Sequence, residues 1–286
     1  MTDRRGFLRR LGAAALAPSV AHRLLAEDEH ASVDDGARIR RIGLQLYTVR
    51  DLMKRNVEST LARVASIGYE EVEFAGYFGR TPRQIREALD HAGLRSPSVH
   101  VGLEEVRGRW RETLDAAHVI GHRYVVVASV DAKERRTLDD WRRVAETFDA
   151  AADEAHRAGI GFAYHNHDFE FEPIESRIPL DVLLEHSNRE LVKIEMDLYW
   201  ITKGGQDPLA YFARWPGRFP MVHVKDSAGA PAHAQRDVGK GTIDFRRIFA
   251  KSGEAGIEHY FVERDEPPNP LASIRASYRY LHALTF

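Results

Sequence analysis

The 286-residue chain contains no cysteine. That excludes disulfides, thiolate metal ligands, a cysteine nucleophile and a lipidated N-terminal cysteine, and it suits a reducing or an oxidising compartment equally. Neither charge sign dominates: 41 Lys and Arg stand against 43 Asp and Glu, a formal net charge of −2. So small a field draws the protein neither to nucleic acid nor to anionic lipid. The basic run Arg107-Gly108-Arg109-Trp110-Arg111 accordingly reads as a solvated helix face. No Gly-x-Gly-x-x-Gly turn follows the first strand-like segment, which counts against an open dinucleotide-binding sheet. The apolar run at residues 11–17 is too short to span a bilayer, so no stable membrane anchor is expected. What is present, 43% hydrophobic and 29% charged residues, is the composition of a globular protein with a sizeable core.

The N-terminus carries Arg4-Arg5-Gly6-Phe7-Leu8, then a short run of small apolar residues and Pro18. A charged segment before a short apolar one has the form of a secretory signal. The adjacent arginines followed by Phe-Leu resemble a twin-arginine export signal. Residues 1–38 are therefore expected to be signal and linker, with residues 39–286 forming the mature domain. That domain would be delivered to the periplasm by the twin-arginine machinery.

From residue 41 onward, strand-like and helix-like patterns alternate eight times. Strands are expected at 42–47, 71–75, 98–101, 124–128, 160–163, 191–197, 221–226 and 260–263. The helices between them start at signals such as Thr81-Pro82 and Asn269-Pro270 and stop at Gly68, Gly93, Gly121 and Gly159. Alternation of this kind predicts right-handed βαβ units on a parallel sheet, and eight units close a single-domain (β/α)₈ TIM barrel.

In such barrels the functional groups sit at the C-terminal strand ends. Here those ends offer Glu73 on strand 2, His100 on strand 3, His165 and His167 on strand 5, and Glu195 and Asp197 on strand 6. Strand 7 adds His223, Lys225 and Asp226, and strand 8 adds Glu263. Residues two apart on a strand share a face, so these pairs project together. Four consecutive ends, 5 to 8, thus carry hard N or O ligands suited to one divalent ion, Mn²⁺, Zn²⁺, Co²⁺ or Mg²⁺. A cluster of two or three zinc ions would need more histidines than this set supplies.

The pattern resembles the xylose isomerase-like barrels, the sugar phosphate isomerase/epimerase superfamily that includes endonuclease IV and inosose dehydratases. The resemblance rests on Glu71-Val72-Glu73-Phe74, His165-Asn166-His167, Asp197-Leu198-Tyr199-Trp200, His223-Val224-Lys225-Asp226, Asp237 to Phe245, and Val262-Glu263. It implies a metal held by His165, Asp197, His223 and Glu263, and catalytic work by Glu263, His165, His167 and Glu195. It also implies a carbohydrate substrate contacted by Lys225, His100, Glu73, Trp200 and Tyr47. Two positions depart from the family pattern: His165 stands where a Glu is usual, and Trp200 where a His is usual. The resemblance implies a metal-dependent isomerase or epimerase of a keto sugar working through an enediolate. The alternatives are a β-eliminating lyase or dehydratase acting on a 3-keto-glycoside or inosose, and an exported sugar-binding protein without catalysis. A DNA phosphodiesterase like endonuclease IV is disfavoured by the charge and by the export signal.

Overall fold

A computed structural model describes residues 38–286; the stretch read as a twin-arginine signal falls, up to residue 37, outside the described residues. Eight parallel strands close on themselves in the order β1-β8-β7-β6-β5-β4-β3-β2. They are β1 Gly43–Gln45, β2 Glu71–Ala75, β3 Arg95–Val101 and β4 Tyr124–Val127. The others are β5 Gly161–His165, β6 Val192–Asp197, β7 Met221–Val224 and β8 His259–Val262. This is the expected (β/α)₈ barrel.

Strand alternation divides the hydrophobic residues into two populations. Outward residues such as Val72, Val125, Phe162, Ile194, Val222 and Val262 join the main core between strands and helices. Val126, Ala163, Met221 and Phe261 form a separate apolar cluster, which alternation places inside the barrel. The inward residue next along each of β5, β7 and β8 is polar: His165, His223 and Glu263. Below the plug, His259 Nδ1 meets Glu71 Oε2 at 2.8 Å. The plug thus separates a buried His–Glu contact at the bottom from the polar layer at the top.

The helix boundaries follow local chemistry. Val57–Ile67 and Pro82–Ala92 begin at Asn56 and Thr81, whose side chains accept from Ser59 N and Gln84 N. Leu138–Arg157 starts in a Thr137/Asp140 capping box, and Pro270–Ala283 at Asn269. Among the described residues no helix is long and apolar enough to cross a membrane.

The local structure that follows β1, β3 and β7 differs from the sequence expectation. β1 stops at Gln45 because its side chain accepts from Tyr47 N at 3.0 Å and opens a 3₁₀ turn, Leu46–Val49. β3 is followed by an unexpected short helix, Leu103–Gly108, whose Glu105 carboxylate accepts from Gly102 N at 3.0 Å. β7 stops at Val224, and Asp226–Ser227 instead pairs antiparallel with Gln235–Arg236.

Candidate active site

The C-terminal end of the barrel opens into a cavity of about 1100 Å³, lined by Tyr47, His100, His165, His167, Trp200, Lys225 and Glu263 among others. Backbone register assembles its floor: His165 lies beside Glu195, Asp197 beside His223, and Gln45 beside Glu73. Glu73, Glu195, Asp197 and His223 are fully buried.

Asp197 divides its two oxygens between two tasks. It is the last residue of β6 and the N-cap of the helix Leu198–Lys203, where Oδ1 accepts from Tyr199 N and Trp200 N, each at 2.9 Å. Its own N–H is fixed by Asn166 Oδ1 at 3.0 Å. Oδ2 is left facing the barrel axis, 3.4 Å from His165 Nε2 and 3.2 Å from Lys225 Nζ, in no hydrogen bond of good geometry. The His165 ring is set by Nδ1, 3.3 Å from the Ala128 carbonyl. Donation there leaves the Nε2 lone pair pointing inward, and Nε2 too is buried without a hydrogen-bond partner.

His223 Nδ1 lies 2.8 Å from Glu263 Oε2 and 3.9 Å from Asp197 Oδ2. One donor atom from each of His165, Asp197, His223 and Glu263 falls within 4.8 Å of the others. Two inward-facing lone-pair atoms without a hydrogen bond, within a set of two imidazoles and two carboxylates, fit a divalent cation. The four residues implied as ligands are therefore brought together.

Lys225 follows β7 and is almost wholly buried. Its Nζ touches Asp197 Oδ2 at 3.2 Å, Glu263 Oε2 at 2.9 Å and Asp265 Oδ1 at 2.9 Å. Burial opposes its charge, but the three carboxylates prevail and hold the ammonium well above its ordinary range. Burial likewise works against ionisation of Glu263, and Lys225 and His223 overcome it, holding the carboxyl well below the usual carboxylate range.

His167 packs edge-on against His165 and stacks on Phe169. Burial first, and then the neighbouring His165 ring, push it down to about 3, so it is a neutral imidazole at neutral pH. Its backbone is pinned by Glu170, whose Oε2 accepts from His167 N at 2.8 Å and whose Oε1 accepts from the Tyr164 hydroxyl. The His167 Nδ1 atom is buried and has no partner.

The remaining expected residues are placed as follows. His100 lines the cavity, and its Nε2 lies 2.6 Å from Glu195 Oε2. Glu195 and Glu73 sit beneath it and do not line the cavity. Trp200 stands at the side, 5.3 Å from Lys225 Nζ to its ring centre. Tyr47 forms the rim, 41% exposed, beneath the Arg50 guanidinium. Asp226 turns away from the cavity to hold a loop through Ser227, Gly239, Gly241 and Ile243 backbone N–H groups. Arg107 and Arg109, read as a solvated face, border the outer arm of the cavity and pair with Glu134 and Glu105.

Sequence reasoning missed Asp265, the third carboxylate on Lys225, although Glu263-Arg264-Asp265 repeats the spacing of Glu195-Met196-Asp197. It also missed Gln45, which donates to Glu73 Oε2 at 2.6 Å. Only the β1–β2 register reveals that contact.

Barrel and floor together define an enzyme with its site at the strand ends. The sequence matches the xylose isomerase-like TIM barrel family over residues 61–284, and the chain belongs to that family. It is 23% identical over 266 residues to an inosose dehydratase of Lacticaseibacillus casei, covering 79% of this chain and 89% of that protein. A second inosose dehydratase, from Geobacillus kaustophilus, is 24% identical over 250 residues, covering 74% and 80%. A sugar phosphate isomerase/epimerase structure from Parabacteroides distasonis superposes with a TM-score of 0.76 at 26% identity, covering 88% of this chain and 97% of that one.

Proposed function

We propose that this enzyme is a divalent-metal-dependent lyase or dehydratase that eliminates a β-substituent from a keto sugar or keto-cyclitol. The likeness to inosose dehydratases along most of both chains supports elimination. The observation that carries it is the make-up of the cavity floor. Glu263 lines it with Asp265, both paired to the Lys225 ammonium, and the imidazoles of His165 and His167 line it as well. Glu73 and Glu195 lie beneath His100 and His223, outside the cavity lining. An epimerase that works with a glutamate at the end of β5 and another after β8 finds an imidazole, His165, in place of the first. Elimination needs a base for the C–H beside the carbonyl and a donor to the oxygen that gains charge.

In this reading His165, Asp197, His223 and Glu263 hold the ion, Mn²⁺, Zn²⁺, Co²⁺ or Mg²⁺. When bound, the ion supplies Lewis-acid polarisation of the substrate carbonyl. His167, a neutral imidazole in the cavity lining, takes the proton beside the carbonyl. Lys225 donates to the developing oxyanion from a site where burial strengthens the contact. Trp200 and Tyr47 give the sugar ring apolar faces to lie against. A 3-keto-glycoside or an inosose satisfies these requirements equally: the C–H proton passes to His167, the C–O bond breaks as the C=C bond forms, and the His167 imidazolium returns the proton to the leaving oxygen, which departs as an alcohol or as water. The bound-sugar reading without catalysis is disfavoured by the complete donor set.

The test uses an inosose and a 3-keto-glucoside in D₂O with the metal-loaded protein. Formation of an unsaturated ketone, lost in His167→Gln with metal content unchanged, is expected. Deuterium exchange or stereochemical inversion without elimination would establish the isomerase reading instead. Export through the N-terminal segment is a further part of the proposal. Periplasmic recovery of the full chain, abolished by Arg4→Lys with Arg5→Lys, is the expected result of fractionation.

A further inference from the structure

His223 carries a carboxylate on each ring nitrogen. Its Nδ1 belongs to the set just described, whereas its Nε2 faces the opposite way, 2.7 Å from Glu73 Oε2 and 3.2 Å from Glu195 Oε2. The same two oxygens meet His100 Nε2, at 3.2 Å and 2.6 Å. One donor atom from each of Glu73, His100, Glu195 and His223 lies within 4.8 Å of the others. Glu73, Glu195 and His223 are fully buried, and the His100 side chain is 12% exposed, at the cavity wall.

A hydrogen-bonded quartet does not account for the whole group. Orienting a ligating histidine takes one carboxylate behind its second nitrogen, yet two carboxylates and a second imidazole converge here. Glu73 Oε1 and Glu195 Oε1, moreover, are buried without any hydrogen-bond partner. Buried carboxylate oxygens are ordinarily satisfied by donors or by a cation.

The geometry points to a second divalent-cation site, formed by Glu73, His100, Glu195 and the Nε2 face of His223, which would bridge it to the outer ion. Two imidazole nitrogens and two carboxylates suit Zn²⁺, Mn²⁺ or Co²⁺. Binding there balances in charge: the ion replaces one proton from His223 Nε2 and one from His100, both released to solvent. The histidines that a two-metal centre lacks in the sequence are supplied by His100 and by the second nitrogen of a residue already counted once. The inference rests on the proposed outer site through His223 alone.

The experiment counts metal. Protein stripped with a chelator is dialysed against Mn²⁺, and bound ions are measured by mass spectrometry against protein concentration. About two ions per chain are expected in the wild type, and about one in Glu73→Gln, in His100→Gln and, from the other side, in Asp197→Asn. One ion in the wild type, or two retained in both Glu73→Gln and His100→Gln, overturns the second site and leaves the outer one standing. None bound overturns both. Should the variants fail to fold, electron paramagnetic resonance of the wild type decides. Two ions sharing one imidazole broaden the six-line Mn²⁺ spectrum by mutual coupling, and an uncoupled spectrum at two equivalents overturns the bridge.

Discussion

Single residues at the barrel mouth do more than one job, and their roles separate by atom. Asp197 Oδ1 caps a helix while Oδ2 faces the axis. Lys225 binds three carboxylates at once, so its removal leaves buried charge uncompensated. Lys225→Met is expected to lower kcat by about 10²–10³-fold, the usual cost of losing an oxyanion donor. The metal-stripped variant should lose stability by roughly 3 kcal/mol, as buried pairs do when one partner is deleted. Unchanged kcat would remove Lys225 from the chemistry. Away from the site, His122 is buried with Nδ1 on the Ser96 carbonyl at 2.7 Å, and burial pushes it down to about 4. The unfolded chain, with an imidazole near about 6.5, takes the proton first. Stability is therefore complete above about pH 6.5 and falls as pH drops towards 4, by ~3 kcal/mol for this group. His122→Gln should flatten that part of the melting-temperature profile; parallel wild-type and variant curves would contradict it. The four outer donors were legible because each ends a strand in a recognisable motif. The partnership of Glu73, His100 and Glu195 was not, since it depends on which residues the closed barrel places side by side.

Elements hold these atoms where they are needed. Helix boundaries were readable from caps such as Thr81 and Asn269, because a cap is a local hydrogen bond. Strand ends were less so: β1 stops early where the Gln45 side chain opens a 3₁₀ turn, and β7 where a returning segment pairs with Asp226–Ser227. The motif Asp237 to Phe245 illustrates the difference. Read as part of the functional resemblance, it is a loop wrapped on Asp226, whose oxygens accept from Gly239 N at 2.9 Å and Gly241 N at 2.8 Å. A Cβ at Gly241 would meet Asp226 Oδ1 at 2.2 Å and Ser227 O at 2.3 Å. Gly241→Ala should therefore destabilise the fold by roughly 2–4 kcal/mol, in the range of strained or overpacked sites. Asp226→Ala, which orphans several N–H groups, should cost about as much. Chemical denaturation measures both; a loss under ~0.5 kcal/mol in either would show that the loop is not held this way.

For the whole molecule, an apolar plug of Val126, Ala163, Met221 and Phe261 separates the polar top layer from the bottom. The top layer concentrates carboxylates that a cation relieves. Metal removal is thus expected to lower the melting temperature, and saturation at about 100 times Kd to restore ~2.7 kcal/mol. A melting temperature indifferent to chelator would contradict a resident ion. Fold class was legible throughout, since alternation of strand and helix patterns needs no long-range information. The reaction was less so, because which strand-end groups face the cavity depends on barrel closure: Glu263 lines it, whereas Glu73 and Glu195 do not. The most direct measurement is therefore product analysis. Metal-loaded protein is incubated with an inosose and with a 3-keto-glucoside, and the products are followed by NMR. An unsaturated ketone with release of water or the aglycone, abolished by chelator and by Glu263→Gln, is the outcome the proposed elimination predicts. A rearranged or epimerised ketose with every C–O bond intact would contradict it.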